Sequence, residues 1–264
     1  MSSVKNKSLR SSLVPLLVAG AAALLLIACK TDEVALSDAS SAQATASAQQ
    51  TAQAGLVPTP STETGATTPP TAMPTPVSFL GPIAYRLPDL KTGPIDVPLE
   101  IKIPSLGVSA PILGVGITAE GAMDSPKGPA NDPIWNKAYW YRGSSAPGDP
   151  GVAALAGHYN GREGIPALFY ELEDIKKDDL ITIRHTENGK EVTYRVTEVK
   201  EYTVKETQDP KVLARIYGEG PVAGRGPQPS ADGLSHITLI TCSGKYVNGS
   251  FDHRFVVYAS QISL

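Results

Sequence analysis

Short apolar runs separated by turn residues dominate the chain from about residue 93 onward, and they constrain the fold more than any other feature. At residues 99–103 and 180–184, apolar and polar side chains alternate with the period of a half-buried strand. Asn188-Gly189 separates the second run from a third at 192–196, which is a strong hairpin signal. Further strands are predicted at 108–113, 152–156, 235–241 and 254–260.

Helical signals are few and short in the same region. Asp209-Pro210 is predicted to begin a helix that ends at Gly218, and residues 166–175 are a second candidate. Pro111 interrupts the run at 108–113, which favours a short second strand or an edge strand there. Seven or eight short strands with so little helix predict a mainly β fold, arranged as a closed or nearly closed barrel. About 170 residues are enough to bury a single core.

The first 29 residues predict export from the cytoplasm. Three basic residues precede an uncharged apolar run at 14–28, which is shorter than the roughly 20 residues that span a bilayer. The run ends in LIAC at 26–29, which is similar to the lipobox of bacterial lipoproteins. By that similarity, cleavage leaves Cys29 as the lipidated first residue and the lipid anchors the chain to the membrane. An uncleaved membrane anchor is the alternative, and both interpretations place the remainder outside the cytoplasm.

Residues 30–92 consist largely of Ala, Ser, Thr, Gln and Pro. This composition cannot bury a core, so a disordered linker is predicted, with a root-mean-square reach on the order of 40–45 Å. The predicted organisation is therefore a lipoprotein signal peptide at 1–29, a linker at 30–92 and a folded domain at 93–264. The formal net charge of −3 gives no indication of a nucleic-acid partner.

The chain contains two cysteines, Cys29 and Cys242. Because the lipidation hypothesis uses Cys29, Cys242 is expected to be an unpaired thiol in an oxidising compartment. It ends a predicted strand and precedes Ser243-Gly244, a position that holds a side chain rigidly while leaving its tip reachable. A thiol with a pKa of about 8.5 becomes a good nucleophile when a base or a cation activates it. The alternative is a buried cysteine that packs as a small hydrophobic residue.

His158 and Arg254 are the candidate partners of Cys242. His158 follows the predicted strand at 152–156, whereas His185 and His236 occupy positions typical of solvent-facing or structural side chains. His253 is predicted to lie in a loop without a catalytic role. Arg254 begins the last strand, and antiparallel pairing would bring its guanidinium near Cys242, where it could stabilise an oxyanion.

These residues resemble the sortase family of cysteine transpeptidases. The sequence TLITC at 238–242 matches the family's TLxTC signature, and Gly157-His158 resembles the strand end that carries its catalytic histidine. RFVVYA at 254–259 resembles its arginine strand, and the order His, Cys, Arg is the same. The similarity extends over about residues 98–262, and its sequence contexts look closest to class F or the related classes D and E.

The resemblance implies a closed eight-stranded barrel and a thiol transpeptidation. Cys242 attacks the carbonyl of a sorting-motif peptide such as LPXTG, Arg254 stabilises the oxyanion, and His158 protonates the departing amine. An amine acceptor, either a cell-wall peptide or a pilin-like lysine, then resolves the thioacyl enzyme. Thr241 is assigned to substrate binding, and no cofactor or metal is implied. The predicted location is the extracytoplasmic face of a bacterial membrane, and the loop at 203–234 is expected to shape the peptide groove.

Other functions are compatible with parts of the pattern. L,D-transpeptidases also place a histidine before a cysteine, but they typically carry an arginine two residues after the cysteine, where this chain has Gly244. Papain-like and NlpC/P60-like hydrolases place the cysteine before the histidine. A non-catalytic surface lipoprotein that binds peptide or glycan is the alternative from a different class.

Overall fold

The computed structural model describes residues 90–91 and 93–262, and it folds them into a closed β-barrel. The predictions for the signal peptide, the lipidated Cys29 and nearly all of the linker lie outside the described residues. The strands are β1 (Ile95–Ile103), β2 (Val108–Val115), β3 (Ala138–Tyr141), β4 (Gly151–Ala156), β5 (Leu180–His185), β6 (Glu191–Thr203), β7 (Ser235–Val247) and β8 (Ser250–Gln261).

The barrel has the strand order β1-β2-β3-β4-β7-β8-β6-β5, and pairing of β5 with β1 closes it. The β2–β3 and β4–β7 pairs are parallel, and the other pairs are antiparallel. The predicted mainly β, eight-stranded barrel is confirmed. The second strand expected at 108–113 is confirmed as β2, and the edge-strand alternative is wrong, because β2 is paired on both sides, with β1 and with β3.

Two apolar clusters cover the two faces of the barrel wall. Alternating residues of β1, Leu99, Ile101 and Ile103, point into the barrel interior together with Leu155 and Leu239, as the two-residue period of a strand requires. The opposite faces of β3, β4, β7 and β8 form an outer cluster with the helical region between β6 and β7. Its members include Tyr141, Ala154, Ala156, Tyr217 and Ile240.

Two α-helices lie in the connection between β6 and β7, α1 (Pro210–Tyr217) and α2 (Glu219–Val222). The predicted start of α1 is confirmed, since Asp209 Oδ1 accepts a hydrogen bond from the backbone N–H of Lys211 at 2.8 Å. The helix predicted at 166–175 is wrong. That segment forms turns and the short 3₁₀ helix Leu172–Asp174, because its backbone hydrogen bonds go partly to His158 and Tyr159 on the neighbouring loop.

The β7–β8 hairpin is longer than the sequence indicates. The strands continue to Val247 and restart at Ser250, so His253 lies within β8 and the prediction of a loop there is wrong. The short strand β3 was not predicted, because all four of its residues are buried and give no alternation. Within residues 90–91 and 93–262, no helix is both long enough and apolar enough to cross a bilayer.

Candidate active site

The β7–β8 hairpin places Cys242 directly opposite Arg254. The two residues are cross-strand partners, and Ser243 and His253 form the next pair toward the turn. Opposed residues of adjacent strands share one side of the sheet. The thiol-bearing side chain and the guanidinium therefore lie on the same side of the barrel wall.

Parallel pairing of β4 with β7 brings His158 to the same end of the barrel. Ala156 pairs with Ile240, and the backbone N–H of Gly157 donates to the Ile240 carbonyl at 3.0 Å. Because the two strands run in the same direction, continuing this register places His158 beside Cys242. The three candidate catalytic residues, distant in sequence, are thus brought together by two strand pairings.

All three candidate side chains are nearly inaccessible to solvent. The exposed fraction is 5% for Cys242, 7% for His158 and 4% for Arg254. The expectation that Cys242 is an unpaired thiol stays a prediction, because the chain's other cysteine, Cys29, lies outside the described residues. Nucleophilic chemistry at Cys242 requires the reduced sulfur.

The His158 ring is held by the segment between β2 and β3. Its Nε2 lies 2.9 Å from the carbonyl oxygen of Pro126 and 3.4 Å from Ser125 Oγ. Because a carbonyl oxygen only accepts hydrogen bonds, Nε2 carries the proton, and Nδ1 is the basic atom of the neutral ring. The ring also contacts Trp135, with 4.7 Å between centroids, and Tyr139, with 5.5 Å.

This enclosure keeps His158 neutral. Burial lowers the pKa of His158 below its ordinary value of 6.5; the hydrogen bond to Pro126 acts in the opposite direction and the nearby Lys127 lowers it further. At neutral pH the imidazole is therefore uncharged. A neutral, buried imidazole is suited to accept a proton during a reaction and return it in a later step.

The guanidinium of Arg254 is anchored by the backbone of its own hairpin. Its Nη1 donates to the carbonyl oxygens of Phe251 at 3.0 Å and His253 at 2.7 Å. Burial lowers the pKa of Arg254, whereas the nearby Tyr217 raises it. The group remains charged because its ordinary pKa is about 12.5 or above. A fixed cation opposite Cys242 can stabilise negative charge that develops there.

Thr241 and the remaining histidines have internal partners. The Thr241 hydroxyl is buried and donates to the Gly157 carbonyl at 3.0 Å. His236 contacts Ser260 Oγ at 2.9 Å and Asp232 Oδ1 at 3.0 Å. His185 Nδ1 accepts from the backbone of the β5–β6 turn. These contacts give His236 and His185 structural roles, while substrate binding by Thr241 stays a prediction.

Sequence inspection did not find the residues that enclose His158. Ser125, Pro126 and Trp135 lie between β2 and β3 in a region without strand or helix periodicity. The sequence Asp132-Pro133 was the available signal, because Asp132 Oδ1 accepts from the N–H of Ile134 and caps the 3₁₀ helix Pro133–Asn136 that carries Trp135. No group of three or more His, Cys, Asp or Glu side chains suitable for a metal ion occurs in the described part of the chain.

Comparison with known proteins identifies one family. A family model described as a sortase domain matches residues 101–262, more than half of the chain. Among solved structures, sortase A from Corynebacterium diphtheriae is 26% identical, with a TM-score of 0.42, over 64% of this chain and 61% of that chain. Sortase C-1 from Actinomyces oris is 22% identical, with a TM-score of 0.41, over 63% and 74%. The chain thus spans less than two thirds of the C. diphtheriae structure. No curated protein matches the sequence.

Proposed function

We propose that this chain, which belongs to the sortase family, is an extracellular cysteine transpeptidase that joins a sorting-motif peptide to an amine acceptor. The observation that carries the proposal is the convergence of three side chains at one end of the barrel. Cys242 is paired with Arg254 across the hairpin, and the β4–β7 register brings His158 beside them. A nucleophile, a base and a fixed cation are the groups that acyl transfer requires.

The first half-reaction forms a thioacyl enzyme. The reduced Cys242 sulfur attacks the carbonyl carbon of the scissile amide, and the thiol proton passes to Nδ1 of His158. Arg254 stabilises the oxyanion of the tetrahedral intermediate. The C–N bond then breaks, and His158 returns the proton to the departing amine. Atoms and charge balance, because the released amine carries the proton that left the thiol.

The second half-reaction transfers the acyl group. A neutral acceptor amine attacks the thioacyl carbon, its proton passes to His158, and the C–S bond breaks. The proton then returns to the Cys242 thiolate, so the enzyme is regenerated. The lowered pKa of His158 supports this role, because the imidazole must be uncharged when the acceptor amine loses its proton.

The finer parts of the proposal concern the substrate and the location. The donor is an LPXTG-like peptide, and the acceptor is a cell-wall peptide amine or a pilin-like lysine. The chain is held at the extracytoplasmic face of the membrane by a lipid on Cys29, with residues 30–92 as a linker. Cys242, His158 and Arg254 are the catalytic residues, and Thr241 contributes to the substrate site.

The test is an intact-mass measurement on the full chain under reducing conditions, after incubation with an LPXTG peptide. A mass gain equal to the acyl half of the peptide is expected in the wild type and in Cys29→Ala, and no gain in Cys242→Ala. A folded protein that gains no mass with LPXTG or a panel of related peptides would contradict the proposal. That result would favour the non-catalytic binding protein.

A further inference from the structure

A row of four aromatic rings borders the candidate active site. Tyr170 contacts Tyr159 with 4.9 Å between ring centroids, Tyr159 contacts Phe251 at 5.3 Å, and Phe251 contacts Tyr246 at 5.2 Å. We call these four residues the aromatic row. Its two ends are open to solvent, with exposed fractions of 41% for Tyr170 and 56% for Tyr246. Exposed aromatic rings in one continuous group mark an interaction surface.

Two members of the aromatic row are connected to candidate catalytic residues, Tyr159 through the chain to His158 and Phe251 through a hydrogen bond to Arg254. Tyr159 directly follows His158, and the backbone N–H of Ala167 donates to the Tyr159 carbonyl at 3.1 Å. On the other strand, the Phe251 carbonyl accepts the 3.0 Å hydrogen bond from Arg254 Nη1. The row therefore lies on the two segments that carry His158 and Arg254.

Three carboxylates lie on segments next to the row. Glu173 and Asp174 belong to the 3₁₀ helix Leu172–Asp174, which begins two residues after Tyr170, and Glu201 of β6 is the cross-strand partner of Phe255 in β8. Burial first, then the nearby carboxylates of Glu201 and Asp174, raises the pKa of Glu173. Glu173 also contributes to the raised pKa of Tyr159, which agrees with this placement, and Glu201 contributes to the raised pKa of His253. We call Glu173, Asp174 and Glu201 the acidic cluster. None of the three forms an ion pair with a described residue.

A polar side chain next to Cys242 on β7 lacks a hydrogen-bond partner among the described residues. The hydroxyl of Ser243 is buried and makes no hydrogen bond among the described residues. Ser243 follows Cys242 and is the cross-strand partner of His253. Buried hydroxyls in native proteins are almost always satisfied. A polar substrate that enters beside Cys242 can supply the missing partner.

We propose that the aromatic row and the acidic cluster form the binding surface for the amine acceptor, recognised as a peptide that carries a protonated side-chain amine. The row supplies faces for cation–π contact with an ammonium group, and the carboxylates of the acidic cluster attract the same positive charge. A lysine-type amine has an ordinary pKa of about 10.4 and arrives protonated. This inference rests on the proposed transpeptidase function and names the chemistry of its second substrate.

The chemistry requires the amine to lose a proton before it attacks. The ammonium binds near the acidic cluster and releases one proton to solvent, and the neutral amine then advances toward the thioacyl carbon. There His158 accepts one of the two amine protons as the C–N bond forms and the C–S bond breaks, and it passes that proton to the Cys242 thiolate. Recognition of the charged form and reaction of the neutral form occur at different points along the aromatic row. The surface therefore affects acceptor binding and leaves thioacyl formation unaffected.

The first test measures transfer from a saturating LPXTG donor to a lysine-containing peptide, with the full chain under reducing conditions. Glu173→Gln combined with Glu201→Gln is expected to raise the acceptor KM about tenfold, and Tyr246→Ala to raise it several-fold. Glu187→Gln combined with Glu191→Gln, at the opposite end of β6, is the matched control and is expected to leave the acceptor KM unchanged. Thioacyl formation is measured for every variant.

The outcomes separate this inference from the proposed function. A thioacyl enzyme with an unchanged acceptor KM in the variants overturns the acceptor surface and leaves the function intact. An equal loss of rate in both half-reactions would assign these residues to the donor site or to folding. That result would also overturn the proposed acceptor surface. Absence of any thioacyl enzyme contradicts the proposed function itself.

A binding measurement tests the surface independently of catalysis. Cys242→Ser full chain is titrated calorimetrically with the lysine peptide and with the same peptide carrying Nε-acetyllysine. Tighter binding of the charged peptide, lost in Glu173→Gln combined with Glu201→Gln, supports the proposal. Equal binding of both peptides overturns it, since recognition would then not depend on the ammonium group.

Discussion

The Thr241 hydroxyl donates a 3.0 Å hydrogen bond to the carbonyl oxygen of Gly157. This contact joins the residue before the nucleophile to the residue before the histidine. Gly157 also permits close packing, because a Cβ there would lie 2.4 Å from the Phe169 ring. This buried side-chain hydrogen bond therefore acts together with the backbone bond from Gly157 to Ile240 to fix the relative position of Cys242 and His158.

Replacing Thr241 by valine should reduce thioacyl formation several-fold. The change removes the hydrogen bond to Gly157 and is expected to cost about 1 kcal/mol of unfolding free energy. Thr241→Ser keeps the hydroxyl and should retain most activity. Thr238→Val is the control, since it removes a similar buried bond, to the Ile216 carbonyl, away from the histidine. Thermal unfolding and the rate of acyl-enzyme formation measure both effects, and equal rates in the two valine variants would contradict the prediction.

Arg254→Lys should lower the rate of thioacyl formation about 100-fold while the protein stays folded. An ammonium group cannot keep the two backbone contacts to Phe251 and His253 and also face the oxyanion as a planar guanidinium does. Arg195→Lys, on the exposed side of β6, provides the matched control. Single-turnover kinetics with a saturating donor peptide measure the rate, and activity of Arg254→Lys close to wild type would exclude the proposed role.

The two histidines near the site should affect stability with opposite signs. Burial lowers the pKa of His158, so the unfolded chain takes up this proton at higher pH than the native state does. His158 therefore reduces stability as pH falls below about 6.5. The hydrogen bond to Asp252 raises the pKa of His253, so His253 stabilises the native state at low pH and loses this effect as pH rises through its raised pKa.

Melting temperatures between about pH 5 and pH 8 test these signs, because the ordinary histidine pKa of about 6.5 lies in this window. His158→Gln should flatten the acid-side loss of stability, and His253→Gln should make that loss steeper. The comparison uses slopes with pH and not absolute melting temperatures, because either substitution can change overall stability. Identical slopes in wild type and both variants would refute the assignment.

Trp135→Phe should raise the pKa of His158 toward its ordinary value. The indole contacts the imidazole at 4.7 Å, and a smaller ring admits water, which weakens the desolvation that disfavours the charged form. Trp140→Phe is the control, because Trp140 is also buried and also loses an indole hydrogen bond to a backbone carbonyl, that of Ser145 in place of Pro129. Titration of the histidine ring resonances by NMR measures the shift. A shift of the same size in both variants would point to a general loss of packing.

Gly244→Ala should destabilise the chain more than Gly189→Ala does. Both glycines have positive φ, +78° and +72°, so both variants share a strain of about 1 kcal/mol. At Gly244 the new Cβ would also lie 2.4 Å from Asp252 Oδ1 and 2.6 Å from His253 Nδ1, whereas nothing lies within 4 Å at Gly189. Asp252 cannot move freely, because it accepts the Lys245 N–H. Denaturant unfolding of the two variants measures the difference.

The local sequence pattern was sufficient to predict most strands of the barrel. The alternation at β1, β5 and β6 and the turn at Asn188-Gly189 predicted strands that the structure contains, because half-buried strands carry their pairing face in a two-residue period. β3 has no such period, since both of its faces are buried. The strand partners of β2 depend on contacts between distant segments, so the edge-strand prediction for Pro111 failed.

The candidate active site, too, was predictable only in part from the sequence. The sequence by itself singled out Cys242, His158 and Arg254 and the hairpin that pairs two of them, because each residue borders a recognisable apolar run. Only the tertiary structure decided that Pro126, Trp135 and Tyr139 enclose the imidazole, that Thr241 bonds to Gly157, and that aromatic rings from two segments form one row. These contacts join segments far apart in the chain, and the physical reason is that packing complementarity between such segments leaves no periodic signal in either one.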